Sequence, residues 1–212
     1  MKVEMGESLM YSWLCHVKGC QIVQTNWKAS AAWPRQNDRE LATIFAAAKE
    51  RFSASSADDL FKRRTLDQLI KQAEVDVLGI LFAGSQNTLY AVDIAFHEGG
   101  LTYGLLKDTV SKVIMKYIRT ALCLYRYFGH APGEILFASP KINPSTMQML
   151  LPKLDEVRDF FQSQNLPYTA SLAANEEFAR TVLDPVLSAS KHVADTSELF
   201  MRSYQLCQMF KR

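Results

Sequence analysis

Residues 74–98 read EVDVLGILFAGSQNTLYAVDIAFHE, and this stretch decides the fold. Two apolar runs rich in Val, Ile, Leu, Phe and Tyr flank Gly84, Ser85, Gln86 and Asn87, which is the composition of a β-hairpin with a short polar turn. Each run carries one carboxylate where the pattern calls for an apolar residue, Asp76 in the first and Asp93 in the second.

Hairpin geometry says whether the two acids meet. If Ala83 pairs with Thr88 across a four-residue turn, Asp76 stands opposite Ala95 and Asp93 opposite Leu78. Opposed residues share a face of a sheet, as do residues two apart on one strand. Asp76, Asp93, Ala95 and His97 then project from the same side, with the two aspartates as diagonal neighbours roughly 7–8 Å apart at Cα. Two carboxylates so placed reach one hard cation, which takes oxygen ligands and keeps several waters. A one-residue slip would put the acids on opposite faces. Aspartates also occur at frayed strand ends, but two on one face among apolar neighbours are costly unless paired or metal-bound.

The rest of the chain bounds the reading. Its 212 residues suffice for one sizeable domain with a full core. A formal net charge of +2 sets up no global field toward nucleic acid, so any such surface must be local. Of Cys15, Cys20, Cys123 and Cys207 only the first two are close, at the wide limit of zinc-knuckle spacing and with no second ligand pair downstream, so the four read as free thiols of a reducing cytoplasm. The opening MKVEMGESLM lacks the apolar core of a signal peptide, and no run is long enough to span a membrane, so a cytoplasmic location is expected.

Along the chain, residues 6–17 place Leu9, Met10, Trp13, Leu14 and Val17 at helical spacing, with Glu7 in the first turn at the edge of the buried face and Gly19 as the stop. Residues 20–27 read as a strand whose polar ladder, Gln24, Asn26 and Lys28, either contacts substrate or metal-bound water or forms an exposed edge. A helix over 39–52, a loop over 53–59 and a basic stretch with Lys62, Arg63, Arg64 and Lys71 lead to the hairpin. The longest helix begins at Asp108 or Thr109 and runs to about Phe128. Its apolar stripe of Val110, Val113, Ile114, Tyr117, Ala121 and Tyr125 adjoins a basic row of Lys112, Lys116, Arg119 and Arg126. Such a row is commonly a solvated face. Strands over 133–138 and 168–173, helices over 144–164 and 176–188, the second interrupted near Pro185, and a last helix to Phe210 behind a capping-box pattern at residues 195–198 complete the chain.

An antiparallel hairpin feeding a helix and a further strand predicts an α/β fold with a mixed sheet and helices on both faces. In this order of elements the chain resembles the restriction-endonuclease-like superfamily, the PD-(D/E)XK nucleases. In the wording EVDVLGI, YAVDIAFHE and ADTSELFMRS it resembles a family of uncharacterised bacterial proteins near them. The resemblance implies one domain over 1–212, with an αβββαβ core over about 5–140 and an α/β extension over about 141–212.

It also implies a glutamate on the first helix, an aspartate on the second strand and an acid-x-lysine triplet on the third. Glu7, Asp76 and Asp93 fill the acid positions, as ligands of Mg²⁺ or Mn²⁺. The lysine position falls on Ala95 and departs from the pattern. Some members of the superfamily supply that lysine from the next helix, where Lys112 and Lys116 are the candidates and Arg119 extends the row toward a phosphate backbone. His97, on the face of Asp93, is a further catalytic candidate as proton relay or ligand.

The expected function is metal-dependent hydrolysis of phosphodiester bonds in DNA. The alternative, favoured by Ala95, is a nuclease fold that grips nucleic acid or a protein without cutting. A non-hydrolytic α/β enzyme finds no glycine-rich phosphate loop or nucleophile motif in the chain. Cutting both strands of a duplex calls for two sites, and the last helix, with Leu199, Phe200, Leu206 and Phe210, is the candidate surface for a homodimer.

Overall fold

The computed structural model describes residues 4–30, 32–52, 60–61, 64–84, 86–194 and 196–210. The loop over 53–59, Lys62 and Arg63 of the basic stretch, Ser85 of the turn and Asp195 of the capping-box pattern lie outside them. The elements in order are α1 (Met5–His16), β1 (Ile22–Trp27), α2 (Asp38–Phe52), α3 (Leu66–Lys71), β2 (Val75–Ala83), β3 (Gln86–Ile94), α4 (Leu106–Phe128), β4 (Gly133–Ser139), α5 (Pro144–Ser163), β5 (Tyr168–Ala174), α6 (Asn175–Phe178), a π-helical segment (Ala179–Leu183), α7 (Asp184–Ala189) and α8 (Leu199–Met209).

The five strands form one sheet in the order β1-β2-β3-β4-β5. The first three are antiparallel, and β3, β4 and β5 are parallel, as expected when α4 and α5 each carry the chain back across the sheet. Both crossover helices lie on one face, where Leu78, Leu89, Ala91, Ala95, Ile135 and Phe137 of the sheet pack with Val113, Tyr117, Ala121 and Leu154. On the other face Val77, Val92, Leu136 and Ala138 pack with Leu9, Met10, Trp13 and Leu14 of α1 and with Val182, Val186 and Met201. The alternation of Val77 and Leu78, and of Ala91 and Val92, between these cores is the period-two pattern of a sheet buried on both sides.

Two glycines let α1 approach closely. A Cβ at Gly79 would stand 2.9 Å from Cys20 Sγ and 3.1 Å from Leu14 Cδ1, and a Cβ at Gly6 would stand 3.1 Å from Ile94 Cδ1. The first turn of α1, with Glu7, therefore sits against the end of β3.

The helical stretch expected to break near Pro185 does so through the π-helical segment just before it. Proline has no N–H to give the carbonyl four residues back. That carbonyl, on Thr181, accepts instead from Trp13 Nε1 at 2.8 Å, so the break joins this segment to α1. The capping pattern at 195–198 does not open the last helix as expected. α8 begins at Leu199 with Glu198 as the residue before it, and the Glu198 carboxylate is drawn to α1, accepting from Ser12 Oγ and standing 2.7 Å from His16 Nε2. Helix α8 buries Met201 and leaves Leu206, Met209 and Phe210 exposed.

Candidate functional site

The hairpin turn is shorter than its composition suggests. β2 and β3 pair from Ala83 with Gln86 to Val77 with Val92, so the loop is two residues, Gly84 and Ser85. Gly84 takes φ +62°, the left-handed backbone such a turn needs. The expected pairing of Ala83 with Thr88 is thus displaced by two residues. A displacement of two preserves every face, so Asp76 and Asp93 still share a side, and the register carried one step beyond Val77 and Val92 sets them directly across from each other instead of diagonally.

The pairing of β2 with β3 stops where the acids begin. Oδ2 of Asp76 accepts from the backbone N–H of Ile94 at 2.8 Å, taking the place of a ladder bond. Asp93, only 2% exposed, is bounded on its other side by β4, where it pairs with Phe137. Into this notch α4 sends Lys116. Its Nζ donates to Asp93 Oδ1 at 2.7 Å, stands 3.8 Å from Asp76 Oδ2, and lies 5.8 Å from the centre of the Phe137 ring.

The charges respond to this confinement. Burial, and then the negative charge of Asp93, push Asp76 up to about 6, against the opposing pull of Lys116 and the Ile94 amide. Burial alone would lower Lys116, but Asp93 and Asp76 together outweigh it, and its ammonium is held above the ordinary lysine range. Tyr103 is raised by burial and by the same two acids, although Lys116 draws it down.

Lys112, one turn before Lys116, turns away and donates to the carbonyl of Tyr103 at 3.0 Å. His97 packs edge-on against the Tyr103 ring, with centroids 5.5 Å apart. Arg119 follows Lys116 along α4, and its Nε is buried with no hydrogen-bond partner among the described residues. Ala95 is buried in the core beneath α4. Lys28, from the polar ladder of β1, pairs with Glu74 at 3.0 Å.

Glu7 approaches from α1 on the opposite side of the sheet. Its side chain closes a capping box with Glu4, and its Oε2 accepts from Asn26 Nδ2 at 3.0 Å. Its negative charge is near enough to contribute to the upward shift of Asp76. One participant was not singled out from the sequence. Tyr103 lies in a glycine-broken loop that gives no positional signal. Asn26, expected in a ladder of β1 that either contacts substrate or metal-bound water or forms an exposed edge, takes left-handed backbone at φ 51°, which Asn adopts more readily than most residues.

Among the described residues no three of His, Cys, Asp and Glu gather into a group able to hold a metal ion. Two carboxylates do face each other, both with hard oxygen donors, and Asp76 is raised first by burial and then by the charge of Asp93, with Lys116 pulling the other way. This donor set fits a Mg²⁺-like ion, which is often held by one or two protein carboxylates while water and substrate phosphate complete its shell. Compared with protein-family models, with curated proteins and with solved structures, the chain finds no match in any of the three.

Proposed function

We propose that the chain is a metal-dependent nuclease with a restriction-endonuclease-like core, acting on phosphodiester bonds of DNA. The observation that carries this reading is the position of Lys116. Ala95 stands where the superfamily keeps its lysine, and an ammonium from α4 reaches Asp93 and Asp76 from the same face of the sheet. The order of α1, three antiparallel strands, α4 and a parallel β4 supports the finer fold assignment.

In this reading Asp76 and Asp93 supply oxygens for Mg²⁺ or Mn²⁺, with Glu7 as a third acid at the edge of the notch. The bound ion would polarise the scissile phosphate and acidify the attacking water. Lys116 adds a positive charge where negative charge develops on the phosphate, and its N–H groups can orient the water. Arg119, with an unused buried donor farther along the helix, is the candidate contact to the flanking phosphate backbone.

The test is incubation of linear and supercoiled DNA with the purified chain, with and without Mg²⁺ or Mn²⁺, beside a D93N variant. Metal-dependent cleavage lost in D93N supports the reading; no cleavage with either ion, in a protein that also fails to bind Mn²⁺, overturns it. One observation favours a non-cutting binder instead, since Lys116 already neutralises part of the acid pair. That reading expects nucleic-acid binding unaffected by chelation of divalent ions.

A further inference from the structure

We propose that Asn26 is the positioning residue that sets Glu7 against the Asp76 and Asp93 pair, so that the third acid of the site depends on a backbone irregularity in β1. The inference rests on the nuclease reading above and concerns how that site is assembled.

Asn26 is exceptional in its own strand. β1 pairs with β2 through Thr25 with Val77 and Trp27 with Val75, and Asn26 drops out of the pairing between them. The position it faces in that register is Asp76. At φ 51° its backbone is left-handed one residue before the end of β1, a conformation that costs free energy and persists only where the surroundings enforce it. Asn tolerates this region better than most side chains. A glycine would take the same backbone freely but could not donate to a carboxylate, and the asparagine amide here is directed at one.

The contact is that of Asn26 Nδ2 with Glu7 Oε2 at 3.0 Å. The amide can only donate from this nitrogen, so it holds Glu7 as an acceptor without protonating it. Gly6, packed against Ile94, fixes the height of the first turn of α1 over the end of β3. Asn26 then fixes the direction of the side chain that follows. Asn26 is thus within hydrogen-bond reach of one acid of the site and across the strand register from another. Groups that orient metal ligands in this way are typically worth about 10- to 100-fold in metal affinity.

The test is a double-mutant cycle on the full chain, read as Mn²⁺ affinity by calorimetry or spin resonance in the absence of DNA. N26G keeps the left-handed backbone and removes the amide; E7A removes the carboxylate. Expected are weaker Mn²⁺ binding in each single variant, by about 10-fold or more for N26G, and a double variant no weaker than E7A, because the two act through one contact. Melting of N26G should remain near that of the wild type, while N26A, strained at this φ, should melt lower than N26G. Wild-type affinity in N26G, or additive losses in the double variant, would overturn the assignment while leaving the acid site in place. Failure of N26G to fold would assign the side chain to stability and also overturn it. A wild-type chain that binds no Mn²⁺ would remove the nuclease reading and this inference together.

Discussion

The N–H of Ile94 donates to Oδ2 of Asp76 at 2.8 Å, so a side chain closes the sheet where backbone pairing of β2 and β3 ends. The contact makes Asp76 structural as well as chemical, and its substitutions should divide accordingly. D76N keeps an oxygen able to accept from Ile94 and should fold with little loss. D76A leaves a partly buried N–H without its partner and should lose about 1–3 kcal/mol of unfolding free energy. Equal stability of the two in urea titration would show that the contact does not hold the strand end.

The elevation of Asp76 to about 6 has a defined sign. Its folded value lies above its unfolded value, so its contribution to stability is fully present below the unfolded value, near 4, and is lost as pH rises through about 6. Without divalent ions the wild type should lose stability relative to D76N across that window, by on the order of 2 kcal/mol. Mn²⁺ should bind more tightly as pH rises through the same window, because the ionised carboxylate is the ligand. Chemical unfolding and Mn²⁺ titration between pH 4 and 7 check both trends, and flat profiles would place Asp76 outside the pair.

Lys116 and Lys112 should behave differently despite lying one turn apart. Replacing Lys116 by Met leaves the buried charge of Asp93 without its 2.7 Å partner. Losing one partner of a buried pair typically costs about 3–5 kcal/mol, so metal-free K116M should melt well below the wild type. Mn²⁺ should raise its melting temperature by more than that of the wild type, since the ion supplies the missing positive charge. Cleavage should fall by about 10²-fold or more if the ammonium stabilises charge in the transition state. K112M, which loses contacts to the Tyr103 carbonyl and ring but none to the acids, should match the wild type in both assays.

The common face of Asp76 and Asp93 was legible in the sequence because parity survives an error of two in the turn. The turn length itself was not, since Gly84, Ser85 and Asn87 are turn formers, Gln86 among them is polar, and the residues alone do not say where the ladder resumes. The long helix was legible from its apolar stripe. The choice between Lys112 and Lys116 was not, because it depends on how α4 is rotated and tilted over β3. Pro185 announced a break in its helix, but the partner that uses the freed carbonyl, Trp13, is 168 residues away in the chain. The fold of Asn26 away from its strand has no pattern at all in the residues around it.

Ala95 separates the position of the amine from its mere presence. Ala95 is buried on the face that carries Asp93, two residues farther along the same stretch, so a lysine there would point into the notch from the sheet instead of from the helix. Shortening Lys116 to Ala vacates the volume that its stem occupies above Phe137, which offsets the overpacking that A95K alone would cause. A95K by itself should therefore be destabilised, with two ammonium groups competing for one pair of acids. The double variant A95K/K116A should fold better than A95K and recover part of the cleavage lost in K116A. A folded double variant that binds Mn²⁺ yet cleaves no faster than K116A would show that Lys116 does more than supply the charge absent from Ala95.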